Sequence, residues 1–312
     1  MTILLADMGG TGTRLALLRG DGGLQCAVRW QNDNHAGPEP LFARYLRDCG
    51  DPALSGACIA MAGPVGPGRV RLTNRDWGFE RAELAALLRL PDAGALRVVN
   101  DLTALALALP GLGTDQVVPL RPRPAMPQAA ARNGQALVVN CGTGFNVGLA
   151  KATLAGPVAW EAEMGHAALP APVAGALGAH AAEFPTIEAL FSGAGLAHLH
   201  AARTGEAELA AQDLVEAAGS DPAAQESVAL MARLMGLLAR DLVAAYLPRD
   251  GLCWAGSMAR GVLETPARAD FLSALEAPGP LQDIRSDVPV SVITDDAAAL
   301  GGLAALALAA SG

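Results

Sequence analysis

The sequence is poor in positive charge and in aromatic side chains. Lys151 is the only lysine among 312 residues, and 22 basic residues face 31 acidic ones, for a formal net charge of −9. No run of basic residues occurs, and aromatic residues make up 4% of the chain. Proteins that bind nucleic acids present a positive surface to the phosphates. The composition therefore predicts no nucleic-acid partner and favours a small-molecule substrate.

Cysteines are few, and no hydrophobic run is long enough to span a membrane. The five cysteines, at positions 26, 49, 58, 141 and 253, show no Cys-x-x-Cys spacing, which argues against a zinc cage or a disulfide framework. The N-terminus lacks a basic start and reaches Asp7 too early for a signal peptide. The apolar stretch 297–310 is short and is interrupted by Gly301 and Gly302. We therefore expect a cytoplasmic protein with reduced thiols and no membrane partner.

An Asn-Asp pair marks the first candidate for chemistry. The pattern predicts a strand over Ala95–Val99, then Asn100-Asp101, then a helical run over Leu102–Leu109. A carboxylate that a strand delivers to its carboxyl end, beside a helix N-terminus, lies at the mouth of an α/β crevice. Asp is also a good helix N-cap. Asp101 is therefore predicted to be a catalytic carboxylate or a cap, and the two roles can coexist.

Two glycine-rich turns join predicted strands. Met8–Thr13 follows the strand that ends at Asp7, and Asn140–Gly144 separates the predicted strands Ala136–Val139 and Phe145–Leu149. Glycines let backbone N–H groups converge on an anion, and each turn adds a threonine hydroxyl. Neither turn is a Walker loop or a Rossmann fingerprint. A plain hairpin is the alternative for either turn alone, but the repetition favours two phosphate-binding hairpins facing each other across a cleft.

Further polar residues follow in the second half of the chain. Glu163 and His166 are three residues apart in a glycine-containing loop, so both can face one polar ligand, although His166 could instead be a structural histidine bonded to backbone. Thr186 is predicted to cap a helix whose first turn carries Glu188, for which a helix-dipole role is the alternative. The small residues around Gly256 would let a flat group approach the backbone. The Glu-His pair is too sparse for zinc.

These motifs, taken in order, resemble the bacterial glucokinase family. The matching motifs are Asp7-x-Gly9-Gly10-Thr11, Thr73-Asn74-x-x-Trp77, Asn100-Asp101, Gly142-Thr143-Gly144, Glu163-x-x-His166, Glu188 before Ser192-Gly193-x-Gly195, Ala255-Gly256 and Leu300-Gly301. The resemblance runs from residue 3 to about residue 308. Each motif is weak alone, but their order across the chain is specific.

The resemblance implies an α/β fold of the actin/hexokinase type, with two ribonuclease-H-like halves around a central cleft. We expect a small domain of residues 1–109 plus 297–312 and a large domain of residues 110–296. The implied activity is ATP-dependent phosphorylation of glucose at its 6-hydroxyl, with Mg²⁺ as the metal. A homodimer is also expected from the resemblance.

The resemblance assigns roles to individual residues. Asp101 matches the family's general base, which takes the proton of the sugar hydroxyl. Asn100, Glu163, His166 and Glu188 match the residues that hold the sugar. The phosphate loops are matched by Asp7, Gly9, Gly10 and Thr11 and by Gly142, Thr143 and Gly144, and Gly256 matches the adenosine-side turn. Asp7, at its strand end, could also hold the metal through water.

Some positions depart from the family pattern. Gly12 replaces the usual Asn, Asn146 stands where Gly is common, Ser257 replaces the second glycine of the adenosine-side turn, and Ala297–Ala299 lacks the usual Pro-Gly. These departures are predicted to affect the nucleotide side and leave the sugar residues intact. Two alternatives stay open: a kinase for another hexose or an amino sugar, and a catalytically weak sugar-binding sensor.

Overall fold

The computed structural model describes residues 1–63, 65–121, 132–154 and 156–309. The proline-containing stretch from Arg121 to Arg132 predicts a surface loop, of which residues 122–131 lie outside the described residues. The chain forms two compact units. The first comprises Met1–Leu112, Ala152–Ala159 and Asp296–Gly312, and the second comprises Gly113–Lys151 and Trp160–Asp295. Among the described residues, no helix combines the length and the apolar character that crossing a membrane requires.

The elements up to residue 112 alternate strands and helices. In chain order they are β1 (Thr2–Met8), β2 (Gly12–Arg19), β3 (Leu24–Gln31), α1 (Pro38–Asp48), β4 (Gly56–Met61), β5 (Arg69–Arg71), β6 (Gly78–Glu80), α2 (Arg81–Leu87), β7 (Leu96–Asn100) and α3 (Asp101–Ala108).

The remaining elements begin with strands and continue mainly as helices. They are β8 (Val117–Arg121), β9 (Gln135–Cys141), β10 (Phe145–Thr153), β11 (Gly156–Trp160), α4 (Ala171–Leu177), α5 (Ile187–Leu190), α6 (Gly193–Thr204), α7 (Ala211–Ala217), α8 (Pro222–Tyr246), β12 (Gly251–Ala255), α9 (Ser257–Glu264), α10 (Arg268–Glu276), α11 (Gln282–Asp287), β13 (Val290–Ile293) and α12 (Ala298–Ala309).

The sheet of the first unit has the strand order β3-β2-β1-β4-β7. β1 and β2 form the predicted hairpin, and β1, β4 and β7 run parallel. Met8 pairs with Met61, and Met61 pairs with Asn100. The carboxyl ends of these three strands therefore lie at one edge of the sheet, where α/β proteins place their ligands.

The first unit buries both faces of this sheet. Leu4 and Ala6 of β1 pack in one cluster with Phe42 of α1, while Ile3 and Leu5 pack with α12 on the opposite face. Successive strand residues point to opposite faces, so a strand buried on both sides reads as a continuous apolar run. That requirement explains the uninterrupted hydrophobic sequence of β1.

The second unit repeats the same plan. Within it, the strand order is β10-β9-β12-β13-β8, with β9 and β10 antiparallel and β9, β12 and β13 parallel. The long helix α8 supplies the centre of its core, next to the buried ring of Trp254. The repetition explains why two strand–glycine turn–strand motifs occur in one chain.

The strands predicted beside the two glycine turns, and the strand and helix predicted around Asn100-Asp101, are confirmed, with several additions. The short β6 pairs with β5 in a separate two-stranded sheet, and β11 and the short helices α4, α7, α10 and α11 were not predicted. Segments of this length carry too few periodic positions to be distinguished from loops. Thr186 is confirmed as the cap of α5, because its side chain accepts a hydrogen bond from the N–H of Ala189 at 3.2 Å.

Candidate active site

Asn100, and not Asp101, is the N-cap of α3. Asn100 has extended backbone angles, and its Oδ1 accepts a hydrogen bond from the N–H of Leu102 at 2.9 Å. Its Nδ2 donates to the carbonyl of Gly63 at 3.2 Å. The cap reading of Asp101 is therefore wrong, since a cap needs non-helical backbone angles and the strand continues one residue further than predicted.

Asp101 is the first residue of α3 and is half-buried. Its Oδ1 also accepts from the N–H of Leu102 at 2.9 Å. The residue directly follows β7 at the carboxyl edge of the sheet. The positive end of a helix favours a carboxylate in its first turn, so this position suits an acidic residue.

Asn32 holds the first glycine turn. This fully buried residue donates from Nδ2 to the carbonyls of Gly9 and Gly10, at 2.8 and 3.2 Å, and its backbone N–H donates to the carbonyl of Thr11 at 2.9 Å. Its Oδ1 accepts from the hydroxyl of Thr13 at 2.8 Å. Three successive carbonyls of the turn are thereby bound on the Asn32 side.

The turn consequently offers backbone donors. Within the described chain, the N–H groups of Gly10 and Thr11 have no hydrogen-bond acceptor, and the Thr11 side chain is exposed. Adjacent unpaired amides of this kind form concave anion sites. The turn directly follows β1, so it starts from the same sheet edge as Asn100 and Asp101.

Asp7 is buried beside this turn and paired with Arg14. The two residues are opposite each other in the β1–β2 hairpin, and Arg14 Nη1 lies 3.0 Å from Asp7 Oδ2. Burial raises the pKa of Asp7 above its ordinary value of 3.8, although the Arg14 guanidinium opposes the shift. Among the described residues, no cluster of three potential metal ligands occurs. Mg²⁺ is commonly held by one or two carboxylates together with substrate phosphates. The single carboxylate of Asp7 is therefore sufficient for such a role.

The second glycine turn lies against the N-termini of two helices. The N–H of Gly193, which begins α6, donates to the carbonyl of Gly142 at 2.8 Å, and a Cβ on Gly142 would lie 3.7 Å from the N atom of Ser257, the first residue of α9. The amides of Thr143 and Gly144 have no acceptor within the described residues. Free amides and helix N-termini together suit an anion.

Gly256 must be glycine for the turn to close. Its φ is +91°, and a Cβ there would lie 2.3 Å from the carbonyl oxygen of Cys141. A side chain would therefore separate the β12–α9 turn from the second glycine turn.

Glu188 contacts the second turn directly. Its Oε2 accepts from the N–H of Phe145 at 2.9 Å, and a Cβ on Gly144 would lie 2.5 Å from the same oxygen. Gly165 lies equally close to the end of this turn, because a Cβ added to Gly165 would lie 2.4 Å from the carbonyl oxygen of Phe145. These contacts bring Glu188, the second turn and the Glu163–His166 segment together within the second unit.

Glu163 and His166 flank a short turn with exposed side chains. The N–H of His166 donates to the carbonyl of Glu163 at 3.3 Å. The His166 ring is exposed and makes no hydrogen bond with other described residues, so it is not the backbone-bonded structural histidine of the alternative reading.

Asn146, a departure from the family pattern, contacts the Glu163–His166 segment of the second unit. Its side chain bonds Ala162, Glu163 and Met164. This departure therefore contacts Glu163, one of the predicted sugar residues. Ser257 does lie beside the second glycine turn.

Two site residues, Arg14 and Asn32, were not predicted. The Asp7–Arg14 pair could have been found, because a hairpin centred on the glycine turn places these positions opposite each other. Asn32 gave no sequence signal, since it follows β3 and reaches the turn only through the antiparallel sheet.

The chain is similar to known glucokinases over its whole length. The Glucokinase family model matches residues 4–310. The glucokinase of Cupriavidus metallidurans is 30% identical over 96% of this chain and 91% of its own length. A glucokinase structure from an Antarctic psychrotroph has a TM-score of 0.82 at 26% identity, covering 100% of this chain and 99% of that one.

A ROK family glucokinase from Streptomyces griseus, solved in complex with glucose and AMPPNP, is 21% identical, has a TM-score of 0.65 and covers 100% of both chains. At this identity the likeness concerns the fold. The predicted actin/hexokinase-type α/β fold is confirmed by these structures. The chain belongs to the glucokinase family and is a hexokinase-type sugar kinase.

Proposed function

We propose that the protein transfers the γ-phosphoryl group of MgATP to the 6-hydroxyl of glucose, with Asp101 as the general base. The observation that carries the proposal is the shared sheet edge of the first unit, where Asp101 and the free amides of Gly10 and Thr11 follow neighbouring parallel strands. Related proteins carry the name glucokinase, and the Streptomyces griseus relative was solved with glucose and a nucleotide analogue.

Asp101 would accept the proton of the sugar hydroxyl as its oxygen attacks phosphorus. Its position in the first turn of α3 places the carboxylate at the positive end of the helix. Phosphoryl transfer depends mainly on positioning and on charge stabilisation, so one base and several anion-binding amides are sufficient protein chemistry. Bound MgATP would supply the phosphoryl group and partial neutralisation of its charge.

The two glycine turns would hold the phosphates. In the first unit the donors are the amides of Gly10 and Thr11, following Gly9, with Asp7 as the candidate carboxylate for the Mg²⁺ shell. In the second unit the donors are the amides of Thr143 and Gly144, following Gly142. Both sets lack protein acceptors in the described residues, which supports an external anion as their partner.

The sugar would be held by Asn100, Glu163, His166 and Glu188. Carboxylates suit a polyol because each oxygen can accept a hydroxyl hydrogen. Glu188 has one oxygen bound to Phe145, so its other oxygen remains for a hydroxyl. The exposed His166 ring can donate or accept according to its tautomer. Gly256 would let the adenosine lie close to the backbone.

We further propose the two functional domains as residues 1–109 with 297–312 and residues 110–296. A cytoplasmic location is supported by the five cysteines, which are all free thiols. A homodimer rests on the family resemblance alone, and analytical ultracentrifugation would test it.

The test is ADP release from MgATP with a panel of hexoses and amino sugars, beside Asp101→Asn. Asn keeps an oxygen for the N–H of Leu102, so the helix start is preserved. We expect glucose-dependent release that falls by at least about 10²-fold in the variant, with glucose affinity retained. Preference for another sugar would change the substrate, and near-normal turnover in the variant would remove Asp101 as the base. Glucose binding without turnover would instead identify a sensor.

A further inference from the structure

We infer that Asn146 is a positioning residue that fixes Glu163 for sugar binding. The inference rests on the proposed function of Glu163 as a sugar ligand. It assigns a role to a side chain that the glucokinase pattern commonly lacks, because Gly is frequent at this position.

A single carboxamide bonds three consecutive residues of the Glu163 turn. Asn146 Nδ2 donates to the carbonyl of Ala162 at 2.5 Å and to Glu163 Oε2 at 3.2 Å. Asn146 Oδ1 accepts from the N–H of Met164 at 3.0 Å and from the N–H of Val147 at 2.8 Å. The backbone before Glu163, its carboxylate and the backbone after it are therefore all tied to the start of β10.

This arrangement matters because the Glu163 side chain is exposed. An unrestrained glutamate loses side-chain rotamer freedom when it is ordered by a ligand. Asn146 already restricts the Glu163 side chain before the sugar binds. Less rotamer freedom is then lost on binding, and this preorganisation raises the affinity for the sugar. Its N–H group occupies Oε2, so Oε1 is directed to accept a hydroxyl hydrogen from the substrate.

The donor and acceptor halves of Asn146 have separable effects. A glycine at position 146 removes both. An aspartate keeps an acceptor for the N–H of Met164 but places a second carboxylate beside Glu163, and like charges at this distance repel. The aspartate variant therefore removes the donations to the Ala162 carbonyl and the Glu163 carboxylate while retaining the acceptor for the N–H of Met164.

The experiment measures steady-state kinetics and calorimetric sugar binding for Asn146→Gly, Asn146→Asp and Glu163→Gln. We expect Asn146→Gly to raise the sugar KM and Kd about tenfold, equivalent to ~1.4 kcal/mol, with the ATP KM and kcat within about twofold. Asn146→Asp should raise the sugar KM further, because its carboxylate lies beside that of Glu163. Adding Asn146→Gly to Glu163→Gln should have little additional effect, because Asn146 acts through Glu163.

Asn133→Gly is the matched control. Asn133 is another asparagine of the second unit, and it uses its carboxamide to bond the carbonyl of Leu247 and the N–H of Gln135. This change removes comparable hydrogen bonds away from the Glu163 turn, so the sugar KM should stay near wild type even if the melting temperature falls.

The inference would be overturned if the wild-type protein phosphorylates the sugar and the Asn146→Gly variant has an unchanged sugar KM. Equal increases in the sugar and ATP KM, or additive effects of Asn146→Gly and Glu163→Gln, would show a general structural role and would also overturn it. A wild-type protein that neither binds nor phosphorylates any sugar would overturn the proposed function, and this inference with it.

Discussion

Replacing Asn32 by alanine tests whether the first glycine turn is organised by this one side chain. Asn32 has 0% of its surface exposed. The substitution removes its bonds to the carbonyls of Gly9 and Gly10 and to the hydroxyl of Thr13. A buried polar group left without a partner costs about 1–3 kcal/mol.

The three groups will not all bear the full cost. Gly9 and Gly10 are half-buried, so water can reach their carbonyls, whereas Thr13 is fully buried. We therefore expect a loss of about 2–4 kcal/mol in the free energy of unfolding of the first unit. Because the carbonyls are no longer held on one side, the amides of Gly10 and Thr11 lose their shared orientation. The ATP KM should rise by at least about tenfold, which corresponds to ~1.4 kcal/mol.

The assay combines ADP-release kinetics, calorimetric sugar binding and thermal unfolding. Thr13→Val is the matched variant, because it removes only the 2.8 Å bond to Asn32 and leaves the two carbonyl bonds in place. It should lose stability while the ATP KM changes by less than about threefold. An Asn32→Ala protein with a wild-type ATP KM at saturating sugar would refute the reasoning. An equal effect of both variants on the ATP KM would do so as well.

Two further predictions concern the first unit. Since burial raises the pKa of Asp7, the stability contribution of this group is fully present below its ordinary pKa and is lost as the pH rises through its folded pKa. Asp7→Asn should therefore gain stability relative to wild type as the pH rises from about 3.5 to 7. A difference in melting temperature between the two proteins that stays constant over this pH range would contradict this. Gly302→Ala should destabilise by at least about 1–3 kcal/mol, because a Cβ there would lie 1.8 Å from the carbonyl oxygen of Ala104 in α3. Gly301→Ala, with nothing within 4 Å, should be neutral or stabilising by up to about 1 kcal/mol. Similar melting temperatures for the two glycine variants would contradict the proposed packing of α12 against α3.

Local sequence patterns were sufficient to predict much of the architecture. β1, β4 and β9 read as continuous apolar runs because both faces of each sheet are covered. The glycine turns were found because glycines and a threonine interrupt such runs, and the recurrence of this pattern reflects the repeated unit. The Asp7–Arg14 pair was equally available, since hairpin register follows from the turn.

The assignment of individual side chains within the site was less complete. Asn100 and Asp101 are both acceptable helix caps, and only the backbone angles showed that Asn100 is the cap. For Asn146, comparison with the family indicated an unusual residue but did not predict its bonds to the Glu163 turn. Its contacts depend on the β10 strand meeting a turn that lies 16 to 18 residues further along the chain.

The sequence by itself determined the position of the two turns and the identity of the acidic residues, because each depends on neighbours within a few positions. The fold class followed from the order of the motifs along the chain, which resembles that of the glucokinase family. Only the tertiary structure showed which carbonyls of the first turn are bound by Asn32 and how Asn146 holds Glu163. A hydrogen bond needs two groups to meet within about 3 Å at a suitable angle. Residues far apart in the chain reach that geometry only when the strands that carry them have been placed side by side.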